Sequence, residues 1–246
     1  MHITETAIPG LLIIGLDVHG DNRGWFKENW QREKLTELAP KLASFQPVQN
    51  NISYNHAGAT RGLHAEPWDK LVSVAQGKIF GAWCDLREGS ESFGEVVTHE
   101  VGPETAVFVP RGVANGFQAL EETSYCYLVN EHWSAEALYS AVNLNIVDWP
   151  LEPTEISKKD KQHPALEDVS PMPARRILVT GANGQLGRAL KRLLADAEFC
   201  THAEFDITNP PARNWKQYSA IINCAAYNDV NGAESCLLYT SDAADE

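Results

Sequence analysis

The stretch Lys70-Leu-Val-Ser-Val-Ala-Gln-Gly-Lys-Ile-Phe-Gly-Ala-Trp-Cys-Asp85 carries the decisive fold signal. Two short runs rich in β-formers, Lys70–Val74 and Ile79–Asp85, stand on either side of a glycine turn signal. Working outward, the same pattern recurs at Leu11–Ile14, Val48–Ser53, Glu95–Val101, Ala106–Val109 and Ser124–Val129, each run bounded by Gly, Pro or Asn. Strands at this spacing predict a sandwich or barrel. One helical stretch, Arg32–Leu38, interrupts them. From Glu152 to Arg175 the pattern dissolves into Pro, Lys, Asp and Glu, which reads as a linker. Beyond it the period changes. Arg176–Thr180 reads as a short buried strand, Gln185–Leu194 as a helix and Ala220–Cys224 as another buried strand, the opening of a parallel α/β sheet.

A chain of 246 residues makes one large domain or two smaller ones. At 43% hydrophobic it lies well above the disordered range. No apolar stretch approaches the ~20 residues that cross a bilayer. The segment Met1 to Leu16 has no basic region and is broken by Pro9-Gly10, so it does not read as a signal peptide. The five cysteines, Cys84, Cys126, Cys200, Cys224 and Cys236, form no C-x-x-C pair. This argues against a disulfide framework or a zinc ribbon and favours the cytoplasm. A net charge of −13 disfavours nucleic acid, whose binding rests on Lys and Arg at phosphates.

In the second segment, Thr180-Gly181-Ala-Asn-Gly184-Gln-Leu-Gly187 joins a strand to a helix. Glycines at i, i+3 and i+6 allow a tight turn, close approach of backbone to a pyrophosphate, and close helix–strand packing. With Asp206 about 20 residues on, this predicts dinucleotide binding. The runs Ile177–Gly187, Phe205-Asp-Ile-Thr208 and Ile222-Asn-Cys-Ala-Ala-Tyr227 resemble the start of dTDP-4-dehydrorhamnose reductase, an extended short-chain dehydrogenase. The resemblance implies NADPH or NADH held by Gly181, Gly184, Gln185, Leu186 and Gly187. Asp206, Ile207, Ala225, Ala226 and Tyr227 would line the site. Catalysis in that family uses Tyr-x-x-x-Lys, and none of the seven tyrosines has a lysine four residues on. The segment spans about half of such a fold, and 236–246 reads as a non-native tail. This part is expected to be incomplete and to reduce nothing.

In the first segment the polar signals are Asp21-Asn-Arg23-Gly-Trp-Phe26-Lys-Glu28, Gln49-Asn50-Asn51, Arg61-Gly-Leu-His64 and Asp69-Lys70-Leu-Val, then Tyr127 and Asp160. Each alone admits a plain reading: Arg23 and Glu28 in surface pairs, His64 a core histidine, Tyr127 strand packing, Asp160 a solvated charge. From about Thr6 to Pro164 these motifs, with P-x-G-x-x-x-G-F at Pro110–Phe117 and Lys159-Asp160, resemble dTDP-4-dehydrorhamnose 3,5-epimerase. That family has a cupin-type jelly-roll fold and acts as a homodimer without metal or organic cofactor. By carry-over His64 is the general base, oriented by Asp160, Tyr127 is the proton donor, and Lys70 stabilises the enolate. Arg23, Phe26, Glu28, Gln49, Asn51, Arg61, Asn115, Trp133 and Lys159 would hold the nucleotide sugar.

The residue types suit the reaction. A C4 ketone acidifies the protons at C3 and C5, and imidazole is a base suited to pH 7. A nearby lysine stabilises the oxyanion. Departures from the family are Gly81 in place of an aspartate, Asn115 in place of a histidine, and His132-Trp133 in place of Tyr-Tyr. A glutamate expected shortly afterwards has its nearest match in Glu136. The expected organisation is an epimerase domain over 1–165, a linker at 166–175, a partial Rossmann segment at 176–235 and the tail. Two rival readings stay open: a metal-dependent cupin using His64, Glu66 and His99 or His132, and a non-catalytic nucleotide-sugar-binding module. A continuation past Ser235 carrying Tyr-x-x-x-Lys would make the parent bifunctional.

Overall fold

The computed structural model describes residues 1–226. Tyr227 and the tail at 236–246 lie outside the described residues. Contacts divide the chain into a unit of Met1–Pro173 and a second beginning at Ala174.

The first unit opens with β1 (His2–Glu5), β2 (Leu12–Gly15) and a ribbon of β3 (Val18–Asp21) and β4 (Gly24–Lys27). After α1 (Arg32–Leu38) come β5 (Gln49–Asn55), β6 (Thr60–Ala65), β7 (Lys70–Gln76) and β8 (Ile79–Asp85). There follow β9 (Val96–Val101), β10 (Thr105–Val109), β11 (Val113–Ala119), β12 (Thr123–Val129) and the short β13 (Ser140–Ala141). They build a six-stranded sheet, β1-β2-β10-β7-β12-β5, and a five-stranded sheet, β13-β6-β11-β8-β9. From β6 to β12 the chain passes repeatedly between the two, as in a jelly roll.

Three apolar clusters explain why β7 and β8 read as nearly continuous hydrophobic runs. Val72, Val74, Trp83, Val107, Phe117 and Tyr125 meet between the sheets. On the outer face of the six-stranded sheet, Leu71 and Phe108 pack under Leu35 of α1 and under Leu42 and Phe45. On the outer face of the other sheet, Leu63, Ala82, Cys84 and Leu86 pack under Val142, Leu144, Val169 and Met172. Strands covered on both faces lose the alternation of a half-exposed strand.

That last cluster corrects the linker reading. Met172 is 1% exposed, and its N–H donates to Leu86 O at 2.7 Å. Residues 166–173 therefore close the first unit. They bury side chains singly, without period, so composition alone could not separate them from a tether.

Asp85 ends β8 wholly buried. Burial pushes its carboxyl pKa up, but hydrogen bonds from Arg87, Ser90 and Ser92 outweigh this and bring it down to about 2. A carboxylate lowered from the ordinary aspartate value of 3.8 stabilises the fold above that value, and loses its contribution as pH falls through the folded value. This contribution is on the order of 2 kcal/mol at pH 7. Asp85→Asn is expected to lower the urea midpoint at pH 7 and to flatten its decline between pH 4 and 2, as followed by circular dichroism.

In the second unit, β14 (Arg176–Thr180) is the centre of a parallel sheet between β15 (Glu198–Cys200) and β16 (Tyr218–Asn223). The helix α2 (Gln185–Leu190) stops short of the Leu194 that periodicity suggests. Its hydrogen bonds tighten to i→i+3 at Arg192 and Leu193, and Leu193 is 77% exposed. Among the described residues no helix is long and apolar enough to cross a membrane.

Candidate active site

His64 lies on β6 opposite Asn115 of β11, which in turn lies opposite Trp83 of β8. Trp83 belongs to the cluster between the sheets, so the period of two along each strand turns His64 inward as well. The strand that carries His64 depends on Gly62. Its φ is +119°, and a Cβ there would come within 2.5 Å of Gly116 Cα. The Gly62 N–H donates to Asp160 Oδ2 at 3.2 Å, while Asp160 Oδ1 lies 2.8 Å from His64 Nε2. Asp160 is 5% exposed. Burial raises its pKa, but the bond and charge of His64, the Gly62 amide and Ser157 together hold it below the ordinary value. An ionised carboxylate only accepts, so in the neutral dyad the imidazole donates from Nε2 and keeps its lone pair on Nδ1.

The opposite sheet supplies two more groups. Tyr127 of β12 pairs with Val72 and packs against the inter-sheet cluster. Two residues before Val72, Lys70 shares that inward face, and its Nζ stands 4.7 Å from the centroid of the Tyr127 ring. Lys70 also pairs with Glu66, just past the end of β6. Burial and the Glu66 charge raise the Tyr127 pKa, against an opposing effect of Arg61. The phenol therefore keeps its proton at neutral pH. A cleft of about 840 Å³ is lined by Arg61, His64, Glu66, Trp133, Tyr139, Lys159, Asp160 and His163.

His64 and Tyr127 are thus carried by opposing sheets. Residues 5–168 match the family model described as dTDP-4-dehydrorhamnose 3,5-epimerase. The chain belongs to this family. It is 50% identical to a "Protein RmlC homolog" of Streptococcus pyogenes serotype M6 over 176 residues, 67% of this chain and 89% of that protein. It is 33% identical to a dTDP-4-dehydrorhamnose 3,5-epimerase of Pseudomonas aeruginosa, over 70% of this chain and 100% of the other. Among solved structures, RmlC from Streptococcus suis in complex with dTDP-D-xylose aligns with a TM-score of 0.65 at 46% identity, covering 70% of this chain and 94% of that one. Residues 175–242 match the model of the RmlD substrate binding domain, a match that runs past Cys236. The first unit is thus an epimerase domain, and the residues after it match a second kind of domain.

Within this epimerase domain Lys70 and Tyr127 are not among the residues lining that cleft, and the other residues that the sequence pointed to, Asn115 aside, fall into three groups. His64, Asp160, Arg61, Trp133 and Lys159 line one cleft. Gln49 and Asn51 bond to each other at 2.9 Å on β5, and Gln49 Oε1 accepts from the Trp133 N–H. Arg23, Phe26 and Glu28 do not reach the cleft of their own chain. Arg23 pairs with Asp21 and its side chain is 90% exposed, Phe26 is 64% exposed, and Glu28 pairs with Lys34. The β3–β4 ribbon is tied through Lys27, whose Nζ donates to Val74 O and Pro103 O.

The Asn115 side chain is bonded within the domain. Its Oδ1 accepts from Trp83 Nε1 at 2.9 Å and its Nδ2 donates to the Tyr125 hydroxyl at 3.1 Å. The two family departures are linked here. A Cβ on Gly81 would come within 2.4 Å of the Trp83 ring, so the indole takes the space of a side chain at 81 and bonds to Asn115.

Glu66, Tyr139 and His163 are cleft residues that the motifs did not assign to the substrate. His163 follows Asp160 by one turn of chain, a spacing that could have flagged it. The metal set of the cupin rival does not assemble: Glu66 is committed to Lys70, and His99 and His132 are exposed.

In the second unit, Gly181 has φ +69°, and a Cβ on it would come within 2.5 Å of Ala225 N. A Cβ on Gly187 would come within 2.5 Å of Gly181 O. Both glycines are required by close packing at the carboxyl end of β14, where dinucleotides bind in such sheets. Gln185 and Leu186 are exposed at the start of α2, and Asp206 is bonded to Thr208. Ile207 and Ala226 are exposed, whereas Ala225 is partly buried.

Proposed function

We propose that the epimerase domain inverts C3 and C5 of dTDP-4-dehydro-6-deoxyglucose, giving dTDP-4-dehydro-L-rhamnose for dTDP-L-rhamnose synthesis in the cytoplasm. One observation carries this reading. His64, bonded to the buried Asp160, stands on one sheet, and Lys70 and Tyr127 stand together on the inward face of the other. Nδ1 of His64 takes the proton next to the C4 ketone, and Asp160 stabilises the imidazolium that results. The Lys70 ammonium stabilises the enolate oxygen. Tyr127 then returns a proton from the opposite face, which inverts the carbon. Arg61 and Lys159 offer the positive charge that a diphosphate needs in an acidic chain.

Incubation of the ketosugar with the protein in D2O, followed by proton NMR, tests the reading. Exchange at C3 and C5 is expected. Its absence would sink the enzymatic reading in favour of a non-catalytic nucleotide-sugar-binding module.

The domain acts in this reading as a homodimer. Trp25 and Phe26 on the ribbon, and Ile52 and Tyr54 on the edge strand β5, are exposed apolar side chains that a second copy would cover. Arg23, Phe26 and Glu28 would then complete the cleft of the partner. Mixing Arg23→Ala with His64→Ala chains tests this. Each variant alone is expected to be weak, while random exchange restores about a quarter of the sites, one of two in half of the dimers. No recovery after exchange would place Arg23 with its own chain.

For the second unit, the glycine turn fits the pyrophosphate of NADPH or NADH. Gly181, Gly184, Gln185, Leu186 and Gly187 would hold it, with Asp206 at the ribose side. The bound cofactor would supply hydride for reduction of a C4 ketone, a second activity beside epimerisation. The described residues contribute binding alone to that activity.

A further inference from the structure

The acid–base scheme leaves one buried histidine without a task. The His163 side chain is 7% exposed, and among the described residues neither of its ring nitrogens has a partner at proper hydrogen-bond geometry. Its ring stands edge-on to the His64 ring, with centroids 5.0 Å apart and planes at 81°. Its Nε2 lies 3.8 Å from Asp160 Oδ1, beyond hydrogen-bond reach. Buried polar nitrogens are ordinarily satisfied, so an orphan aimed at two potential ligand groups calls for a partner.

We propose that His64, Asp160 and His163 form an inhibitory binding site for a divalent transition-metal ion of the Zn2+ type. One ligand atom from each residue falls within a span of 4.8 Å. A tetrahedral ion with bonds of about 2.0–2.1 Å holds its ligands about 3.4 Å apart. The His64–Asp160 pair at 2.8 Å opens slightly to admit it, and His163 closes from 3.8 Å. Two imidazoles and one carboxylate select Zn2+ and its neighbours over Mg2+ or Ca2+, which prefer all-oxygen sets. The cleft leaves the fourth position to water.

The consequence for the reaction follows from the imidazole. Once Nε2 of His64 is bound to the ion, the only ring proton sits on Nδ1, and no lone pair is left to accept one from the sugar. The effect on catalysis rests on the proposed role of His64, whereas the binding itself does not.

Calorimetric titration of the chelator-treated full chain with ZnCl2 separates the two. One ion per chain at micromolar affinity or tighter is expected, with no comparable uptake of MgCl2. His163→Gln and His163→Phe are each expected to weaken Zn2+ binding at least about tenfold. Co2+ added to the wild-type protein gives a readout that needs no variant: intense visible bands of a tetrahedral nitrogen–oxygen site are expected. A weak octahedral spectrum, or a thiolate charge-transfer band from the free cysteines alone, would overturn the proposal. So would equal Zn2+ affinity in folded His163 variants. Stoichiometric binding without loss of epimerisation would keep the metal site and refute instead the assignment of His64 as base.

Discussion

His64→Ala is expected to abolish both solvent exchange at C3 and C5 and net epimerisation. General acid–base catalysis by a positioned side chain contributes about 10²–10⁴-fold, and no second base of the same geometry stands ready to substitute. Glu66 is ion-paired with Lys70. His163 also lines the cleft, but its Nε2 lies 3.8 Å from Asp160 Oδ1, too far for the carboxylate to hold its ring as it holds His64. Nucleotide affinity should change little, because the imidazole meets the sugar carbon while the diphosphate is held by cations elsewhere. The measurement is the NMR exchange rate in D2O beside a binding titration with dTDP. Exchange within threefold of wild type would remove His64 from the mechanism. Loss of dTDP binding in parallel would point to a collapsed cleft instead.

Tyr127→Phe is expected to separate the two halves of the reaction. The ring stays, with its place over Lys70 and beside Tyr125, but the donor hydroxyl is lost. His64 can still remove a proton and return deuterium to the same face, so exchange continues while inversion falls by about 10²–10⁴-fold. The ratio of exchange to epimerisation therefore rises in Tyr127→Phe, whereas both rates vanish together in His64→Ala. In the wild type, burial and Glu66 hold the phenol pKa above its ordinary value. The protonated donor is present below that value and is lost only as pH rises through it. Any alkaline limb of turnover due to Tyr127 should thus lie above the ordinary tyrosine range and disappear in the phenylalanine variant. If exchange falls as far as epimerisation in Tyr127→Phe, the hydroxyl takes part in deprotonation and the two-face scheme is wrong.

Strands whose side chains are apolar on both faces could be read directly, and Ile79–Asp85 runs in the structure between the limits that its pattern suggests. The two strands nearest the chemistry were not picked out. Thr60–Ala65 and Val113–Ala119 carry Arg61, Gly62, His64, Asn115 and Gly116 where an ordinary strand would carry Val or Ile. The substitutions that make the cleft polar also erase the strand signal. The segment 152–173 was misread for a related reason. It contributes Asp160 to the site and Val169 and Met172 to the outer core, one residue at a time.

Residue order alone dictated the β-rich first unit and the change of architecture after the proline-rich stretch, while the family resemblance supplied the candidates for acid, base and cation. Tertiary structure decided which of these groups meet. Asp160 reaches His64 across 96 residues of chain, a pairing that depends on how the closing segment folds back over Gly62. It also decided that Asn115 bonds inward to Trp83 and Tyr125, and that Arg23 and Phe26 lie away from the cleft of their own chain. The physical reason is that strand periodicity states which side chains share a face. It does not state which sheet that face will oppose, or what distant segment will cover it.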